Sequence, residues 1–457
     1  MTPPPPPPTT PAAISRAYVT ITAIFTLSAS LIWGVNTLFL LDAGLDIFEV
    51  FVANAVSTAG MVLFEIPTGV VADTTGRRRS FLLAVAVLLV GTVAYVAMAA
   101  TGAGVVGFSA ASFVLGVGFS FYSGAVEAWM VDALVATGFT GSLDPVFARG
   151  SQVSGAAMLG GSVAGGLLGA VDLSWPFAVR AVLLAVVLGI GGRVMHDVGF
   201  VPRAMTLRGL PAEMRAVLGA SVEVGWRARP VRMLVLVSLV HGTLTMWAFY
   251  AAQPYLLELL NRDAVWVSGV VTALVAATTI AGNTLVRLFT QFCGRRTTLL
   301  LASSSVVAVA AIGVGVAGSF VPALVLFLLT MGAVGVGTPV QQAYLHQVVP
   351  SSERATVVSF GSLLGSAGGI GGQLGLGYVA RSYSMGAGYV VGGLVSFLAL
   401  VPLVALRRQG QPADVIVGRR AGRRGPCAGQ GLPQVALVDT TPREAEVVGP
   451  GGAGGES

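Results

Sequence analysis

The sequence places a few carboxylate side chains inside or beside long apolar segments. Glu65 lies near the end of the second apolar segment, and Glu127 and Asp132 lie near the end of the fourth. A charged side chain at the centre of a membrane-spanning helix costs about 2.5–3.5 kcal/mol on insertion scales, so residues of this kind are usually functional. Carboxylates in such surroundings can form ion pairs, bind a substrate or carry protons.

A second group of charges lies in the short connection over residues 69–79, which reads GVVADTTGRRR. Gly76 permits a tight reversal of the chain, and Gly69 allows a neighbouring helix to approach closely. Asp73 and Arg77 are predicted to form ion pairs at the membrane edge that hold one gate closed. The simpler alternative is that the arginines only fix the topology, but that role would need neither Asp73 nor the paired glycines.

Glu127 and Asp132 are expected near the cytoplasmic end of their segment. The simplest role there is pairing with the arginines of residues 77–79, and we favour this gate role for both carboxylates. Direct binding of a substrate or a proton is the alternative, and it is more open for Glu127 than for Asp132.

Other polar groups inside the apolar segments could line a pathway for a substrate or for protons. These candidates include Glu65, the carboxylate of the second segment. The full set is Asn36, Glu65, Arg180, His241, Gln253 and Gln341. Arg180 is expected either to reach the outer interface with its long side chain or to meet a carboxylate. An unperturbed histidine has a pKa of about 6.5, which would suit His241 to proton transfer, although a buried, hydrogen-bonded histidine is the more common outcome.

The composition decides what kind of element carries these groups. Apolar residues make up 54% of the 457 residues and charged residues 10%, whereas soluble proteins have roughly a quarter charged. Repeated apolar stretches approach the ~20 residues that cross a bilayer. The chain is therefore predicted to be an all-α membrane protein surrounded by the lipid bilayer. The net charge of +6 does not indicate nucleic-acid binding, because basic and aromatic residues are not interleaved.

The apolar segments fall into two sets of six, which predicts twelve transmembrane helices. Arginines concentrate in alternate short loops, and positive residues are retained on the cytoplasmic side. This asymmetry predicts a multi-pass protein of the cell inner (plasma) membrane with both termini in the cytoplasm. The predicted divisions are a Pro-rich cytoplasmic tail over 1–16, a first six-helix bundle over 17–195, a cytoplasmic linker with an amphipathic helix over 196–230, a second bundle over 231–407 and a disordered cytoplasmic tail over 408–457.

The two sets of six also repeat in sequence. The connection after the eighth segment, residues 287–296, reads RLFTQFCGRR, in which Gly294 matches Gly76 and Arg295 matches Arg77. Arginine and glutamine replace the first glycine and the aspartate of the first copy. Duplication of this kind is typical of transporters built from two related bundles.

These features resemble the major facilitator superfamily, and the likeness covers nearly the whole chain between the two tails. The first connection is similar to the family's motif of Gly, three residues, Asp, two residues, Gly and basic residues. The resemblance implies the major facilitator fold of two six-helix bundles, with a gate that closes the inward side. The gate residues that the resemblance and the charges indicate are Gly69, Asp73, Gly76, Arg77, Glu127, Asp132, Arg295 and Arg354.

The direction of transport is read from the fourth and fifth segments. Gly161, Gly165 and Gly166 resemble the family's antiporter motif, which is associated with exporters, although small residues also serve any tight helix crossing. Ser162 stands where that motif has proline, and Ser112 stands where drug–proton antiporters of the family carry arginine. The resemblance favours proton-coupled export of small amphiphilic or drug-like molecules. The missing arginine leaves the coupling open, and uptake of a solute is the alternative.

Other classes of function fit the sequence less well. A membrane enzyme would need a catalytic cluster, whereas the three histidines are scattered and show no metal-ligand spacing. The sequence therefore predicts no enzyme activity, no catalytic residue, no metal and no cofactor. A membrane sensor derived from a carrier is a further alternative. The expected partners are a small-molecule substrate, lipid and, for a coupled carrier, protons, and the protein is expected to be a monomer.

Overall fold

The computed structural model describes residues 10–202, 214–215, 219, 222–223, 225–262 and 264–416. The predicted linker helix lies largely outside these residues, as do the Pro-rich start of the chain and most of the predicted C-terminal tail. Every regular element in the described part is a helix.

The helices before the linker carry the first half of the fold. They are α1 (Pro11–Trp33), α2 (Asn36–Asp42), α3 (Ile47–Thr75), α4 (Arg77–Ala100), α5 (Val105–Tyr122), α6 (Ala125–Ala136), α7 (Asp144–Gly169) and α8 (Trp175–Val194). The helices of the second half are α9 (Arg229–Leu260), α10 (Val265–Phe292), α11 (Arg296–Val316), α12 (Phe320–Val348), α13 (Arg354–Ser382), α14 (Met385–Ser396) and α15 (Leu400–Arg408). Short 3-10 turns lie at Ser351–Glu353, Phe397–Ala399 and Pro412–Asp414.

Ten helical segments are long and apolar enough to cross a membrane. Two of these segments are composite, since α5 continues into α6 and α14 continues into α15. The remaining long helices, α7 with 26 residues and α13 with 29, pack in the same bundles and are richer in small and polar residues. With them, the twelve predicted spans are confirmed, and the chain is a multi-pass membrane protein.

Local sequence explains where several helices begin and break. At the start of α3, the Asp46 carboxylate accepts hydrogen bonds from the backbone amides of Phe48 and Glu49, and the Glu49 carboxylate accepts one from the Asp46 amide. This reciprocal pair is a capping box. The fourth span breaks between α5 and α6 at Gly124, whose φ of +72° is a conformation that glycine adopts readily.

The helices pack into two bundles, each with its own apolar core. The core of the first bundle contains only residues between Ile14 and Met195. The cores of the second half contain residues between Val231 and Leu406 with one addition, Phe51 of α3. The predicted major facilitator fold of two bundles is confirmed, and one side chain of the first half is buried in the second.

The bundles touch on one side of the molecule and separate on the other. We call the side that carries residues 43–46 and 383–384 the closed side, and the side that carries residues 76 and 293–295 the open side. On the closed side, Asp46 pairs with Arg381 at 3.1 Å. Within the described residues, every side-chain hydrogen bond or ion pair that joins the bundles lies between the membrane centre and the closed side.

The segment after α15 does not start the disordered tail that was predicted from residue 408 onward. Asp414 is buried, and its carboxylate accepts hydrogen bonds from the backbone amide of Thr297 at 2.8 Å and from its hydroxyl at 2.9 Å. The predicted boundary was too early because this segment lacks apolar periodicity and is held by hydrogen bonds instead. The tail from residue 417 onward lies outside the described residues.

Candidate functional site

A cavity of about 510 Å³ lies along the first bundle. Its wall is mostly aromatic and small polar side chains, with one carboxylate and one residue of α10. The residues that form it include Tyr18, Thr22, Trp33, Phe119, Tyr122, Glu127, Ser154 and Ile280. A mostly apolar wall with a few polar groups is the usual composition of a small-molecule site.

Glu127 is exposed on this wall and does not pair with the arginines of residues 77–79. The gate role favoured for it from the sequence is therefore not seen in this conformation. Asp132 does reach Arg77, with 3.8 Å between Oδ2 and Nε. Five helical residues separate the two carboxylates, which turns their side chains about 140° apart, so one helix cannot direct both to the same cluster.

A second cavity of about 450 Å³ lies between α9, α12 and α13. His241 and Gln341, both predicted for the pathway, are on its wall. The Gln341 amide donates to the Ser238 hydroxyl at 2.7 Å and to the Leu234 carbonyl at 2.9 Å. Nε2 of His241 is buried and has no hydrogen-bond partner within the described residues. Gln341 is therefore tied to its own bundle, whereas His241 keeps a free ring nitrogen.

The charged loop at the open side is assembled within the first bundle. Arg77 lies between two carboxylates, with Asp73 at 2.7 Å and Asp132 at 3.8 Å. The expected chain reversal is present at Gly76, which has a φ of +112°. The carboxylate of Asp197 lies against Gly76 and accepts a hydrogen bond from the Arg78 amide at 2.8 Å. Sequence reasoning missed Asp197, because it follows α8 and stands in no apolar segment or motif.

Gly69 has open space beside it and Glu65 is exposed in this conformation. A Cβ atom added at Gly69 would meet nothing within 4 Å, so the close helix approach expected there is absent. Glu65 is exposed. Both residues lie on the face of α3 that carries Thr58, which touches Gln373 of the second bundle nearer the closed side. The bundles have already separated where Glu65 and Gly69 stand.

The second copy of the loop does not join the predicted gate. Arg295 is exposed and pairs through its backbone with Val415. Arg354 is exposed, and its Nε donates to the Val349 carbonyl at 3.4 Å. Neither arginine has an ion pair with a described carboxylate. Of the predicted gate residues, Asp73, Gly76, Arg77 and Asp132 therefore lie together in the first bundle, whereas Gly69, Glu127, Arg295 and Arg354 lie apart from them.

Asn36 and Gln253, predicted to line the pathway, are buried ties on the closed side. The Asn36 amide donates to the Asn54 side-chain oxygen at 3.1 Å. The Gln253 amide donates to the Trp33 carbonyl at 2.7 Å, and its oxygen accepts from the Thr37 amide at 2.9 Å. Since Gln253 belongs to α9, it joins the two bundles where the first span breaks.

The glycines of α7 pack against other helices. Gly161 lies against Ser30 and Gly165 lies against Leu31, both in α1. Gly166 lies against Gly269 of α10, so the second bundle approaches here too. In each case an added Cβ would collide with backbone or hydroxyl atoms, which accounts for the small residues.

Arg180 adopts neither of its two expected arrangements. Its side chain is 1% exposed, so it does not reach an interface, and it pairs with no carboxylate of the described residues. Its Nε donates to the Thr92 hydroxyl at 3.0 Å, and its guanidinium lies 5.7 Å from the centre of the Phe119 ring.

The described residues also contain no group of three His, Cys, Asp or Glu side chains that could hold a metal ion.

Sequence and fold comparisons give a consistent result. Residues 234–432 match the family model of the Major Facilitator Superfamily. No curated protein matches the sequence. The fold is similar to the crystal structure of the nucleoside transporter NupG, with 10% identity and a TM-score of 0.71, covering 86% of this chain and 99% of that one.

Two further solved structures share the fold. A D-xylose-proton symporter has 14% identity and a TM-score of 0.63, covering 86% of this chain and 97% of its own. An auto inhibited POT family peptide transporter has 14% identity and a TM-score of 0.68, covering 88% and 98%. At this identity the likeness shows the arrangement of the helices and nothing about the substrate.

Proposed function

We propose that this chain is a member of the major facilitator superfamily and a secondary transporter that moves a small molecule by alternating access. The match over its second half and the fold of both halves support this proposal. The neighbours described as nucleoside transporter, sugar–proton symporter and peptide transporter are all carriers. An enzyme would need a reactive cluster, and the cavity wall holds a single carboxylate, Glu127.

One observation carries the proposal, namely the one-sided contact between the bundles. Asp46 with Arg381 and Gln253 with the Trp33 carbonyl join the halves on the closed side. The cavity beside Glu127 lies on the other side of these ties. Two bundles that meet at one side and part at the other are the arrangement expected of a carrier caught at one end of its cycle.

The gate is proposed to work as a latch that moves with the first bundle. Asp73, Arg77 and Asp132 form a preassembled cluster at the open side. When the open side closes, Gly69 and Glu65 meet α13, and the cluster docks on the second bundle. The exposed Arg354, at the start of α13, is the second bundle's contribution to this contact.

For direction and coupling, the proposal is proton-coupled export of small amphiphilic molecules. The aromatic wall and the glycine pattern of α7 support it, and Glu65, Glu127 and His241 are the proton acceptors available. Uptake of a solute fits the same structure, because the fold is shared with a D-xylose-proton symporter. The arginine distribution supports an inner (plasma) membrane protein with the open side and both termini in the cytoplasm, and we propose that it acts as a monomer.

Flux in reconstituted vesicles tests the function. Protein in sealed vesicles is offered a panel of labelled amphiphiles and small solutes, with and without an uncoupler. Outward flux that an uncoupler abolishes supports proton-coupled export, and inward accumulation supports uptake. Ligand binding without flux for any compound of the panel would favour the sensor.

Cysteine cross-linking tests the alternating contact independently. On the antiparallel pair α3 and α13, Thr58 touches Gln373, so Glu65, two turns further along α3, is expected to face Ser366 after closure. The pair Glu65→Cys and Ser366→Cys, in a background without native cysteines, should cross-link only during turnover. The pair Asp46→Cys and Arg381→Cys is the control that cross-links in the conformation seen here.

A further inference from the structure

Arg180 lies in an exceptional position for a charged residue. It is the one charged side chain of the described residues that is buried within a spanning helix, since the other buried charge, Asp414, follows the last span. Carriers usually neutralise such a charge with a carboxylate, because a single buried charge loses its hydration and gains no attraction in return. No described carboxylate pairs with Arg180.

One edge of the Arg180 guanidinium is hydrogen-bonded, and another edge has no hydrogen-bond partner within the described residues. Nε donates to the Thr92 hydroxyl at 3.0 Å, and that hydroxyl in turn donates to the Leu88 carbonyl at 2.7 Å. Nη1 of Arg180 is buried and has no hydrogen-bond partner within the described residues. An oriented cation with an unused donor is prepared to receive an acceptor of negative charge.

The surroundings of the guanidinium in the first bundle are polar but uncharged. Tyr95 lies one helical turn from Thr92 on α4, and its hydroxyl shares a hydrogen bond with Ser112 of α5. This side of α4 therefore offers hydroxyl groups, and no described carboxylate pairs with the guanidinium.

The guanidinium is also next to the cavity. Phe119 stacks on Arg180 at 5.7 Å and is itself part of the cavity wall. One aromatic ring thus contacts the cation and also lines the space in which a substrate would be held.

We propose that Arg180 binds the acidic group of the transported molecule, and that this molecule is an organic anion with a carboxylate or a comparable monovalent group. This inference rests on the proposed transport function, and it narrows the amphiphilic substrates to acidic ones. The planar guanidinium can hold a carboxylate through two parallel hydrogen bonds.

Thermal unfolding of the purified full-length chain in detergent tests the anion site. The probes are benzoate and 2-naphthoate against their neutral amides, in a Tris sulfate buffer free of chloride and of other carboxylates. The carboxylates should raise the Tm of the wild type and the amides should not. Arg180→Gln should lose this shift or need at least tenfold more carboxylate, while Arg149→Gln, which removes an exposed arginine, should keep it.

Further arms of the same experiment separate an organic anion from an inorganic one and locate the site. A chloride-dependent shift that needs Arg180, without any shift from the carboxylates, would overturn the substrate assignment in favour of an inorganic anion. A carboxylate shift that persists in folded Arg180→Gln would overturn the site itself. Arg180→Lys retains the charge but not the planar fork. With carboxylate, its Tm should rise less than that of the wild type, whereas the Tm of Arg180→Gln should not rise.

The ligand-free variants exclude a purely structural role. Removing an unpaired buried charge relieves its desolvation, so Arg180→Met without ligand should unfold at the same temperature as the wild type or higher. A large fall in its Tm would show that the arginine ties the bundle together and would overturn the proposal. If neutral compounds are transported and their flux is the same in Arg180→Gln as in the wild type, only this inference is contradicted. If carboxylates bind but no compound is transported, only the transport function is contradicted.

Discussion

The loop before α4 and the loop before α11 occupy matching places in the two halves, and they share one device. The Asp197 carboxylate accepts from the Arg78 amide at 2.8 Å, and the Asp414 carboxylate accepts from the Thr297 amide at 2.8 Å. In each half, an aspartate that follows the last span caps the start of the helix that forms the third span of that half. Capping the exposed amides of a helix start stabilises it by roughly 0.5–2 kcal/mol.

The two loops differ in their charges. Arg77 lies between Asp73 and Asp132, whereas Arg295 pairs with no described carboxylate and its partner position holds Gln291. The cap is therefore common to both halves, and the ion-pair cluster belongs to one. The difference indicates that the cap serves the fold and that the charge cluster of the first half serves the movement.

The largest expected effect comes from neutralising the cluster. Asp73→Asn removes the 2.7 Å ion pair with Arg77 and should lower turnover about tenfold, equivalent to ~1.4 kcal/mol on the barrier to turnover. The amount of protein in the membrane should not change. Initial flux per molecule in vesicles measures the effect, and Gln291→Asn is the matched control at the second copy. Intact flux in Asp73→Asn would remove the latch from the mechanism.

The next effect is on stability. Gly76→Ala places a Cβ on a residue with a φ of +112° and against the Asp197 carboxylate, so it should lower stability by about 1–3 kcal/mol. A fall in Tm in detergent measures it. Gly294→Ala is the control, because a Cβ at Gly294 meets nothing within 4 Å. Equal shifts in the two variants would contradict the asymmetry of the loops.

Removing the caps should give a smaller loss. Asp414→Ala leaves the buried amide and hydroxyl of Thr297 without their acceptor, which costs about 1–2 kcal/mol. Asp197→Ala removes a partly buried cap and should cost less. Unfolding temperatures of both variants, compared with the exposed Asp172→Ala, decide the order. If flux per folded molecule falls as far as in Asp73→Asn, the caps are part of the movement.

The smallest effect is expected at the second loop. Arg295→Gln changes an exposed side chain without an ion pair, and stability should stay within about 0.5 kcal/mol of the wild type. Flux should remain within about twofold, since that factor is only ~0.4 kcal/mol. Arg77→Gln is the matched variant and should resemble Asp73→Asn. A tenfold loss in Arg295→Gln would show that both loops act as gates.

The sequence was informative where segment length and local charge determine the structure. Apolar length predicted the spans, and the opposite charges of Asp73 and Arg77 beside the Gly76 reversal predicted their ion pair. Glu127 was expected to pair with the arginines of residues 77–79 and does not pair with them in this conformation, because the break at Gly124 and the angle to Asp132 decide which face it occupies.

Contacts between distant segments were out of reach of the sequence. Asn36 and Gln253 look like pathway residues by position. Only the packing of α9 against the first span makes Gln253 a tie between the bundles, and only the packing of α2 against α3 brings Asn36 to Asn54. Asp197 and Asp414 carry no signal in a pattern of apolar windows, because each acts at a helix start more than a hundred residues away. Arg180 was recognised as unusual, but its lack of a counter-ion is a property of the folded bundle.

Phe51 gives the closed side a particular thermodynamic character. This ring belongs to the first half, is fully buried in the core of the second and lies 5.7 Å from Trp247. When the closed side parts, the ring leaves a dry pocket. Loss of this burial costs about 1.5–3 kcal/mol for an aromatic side chain of this size. Exposure of apolar surface to water raises the heat capacity. The free-energy difference between the two end states should therefore depend non-linearly on temperature. Cooling should favour the state in which the ring is withdrawn.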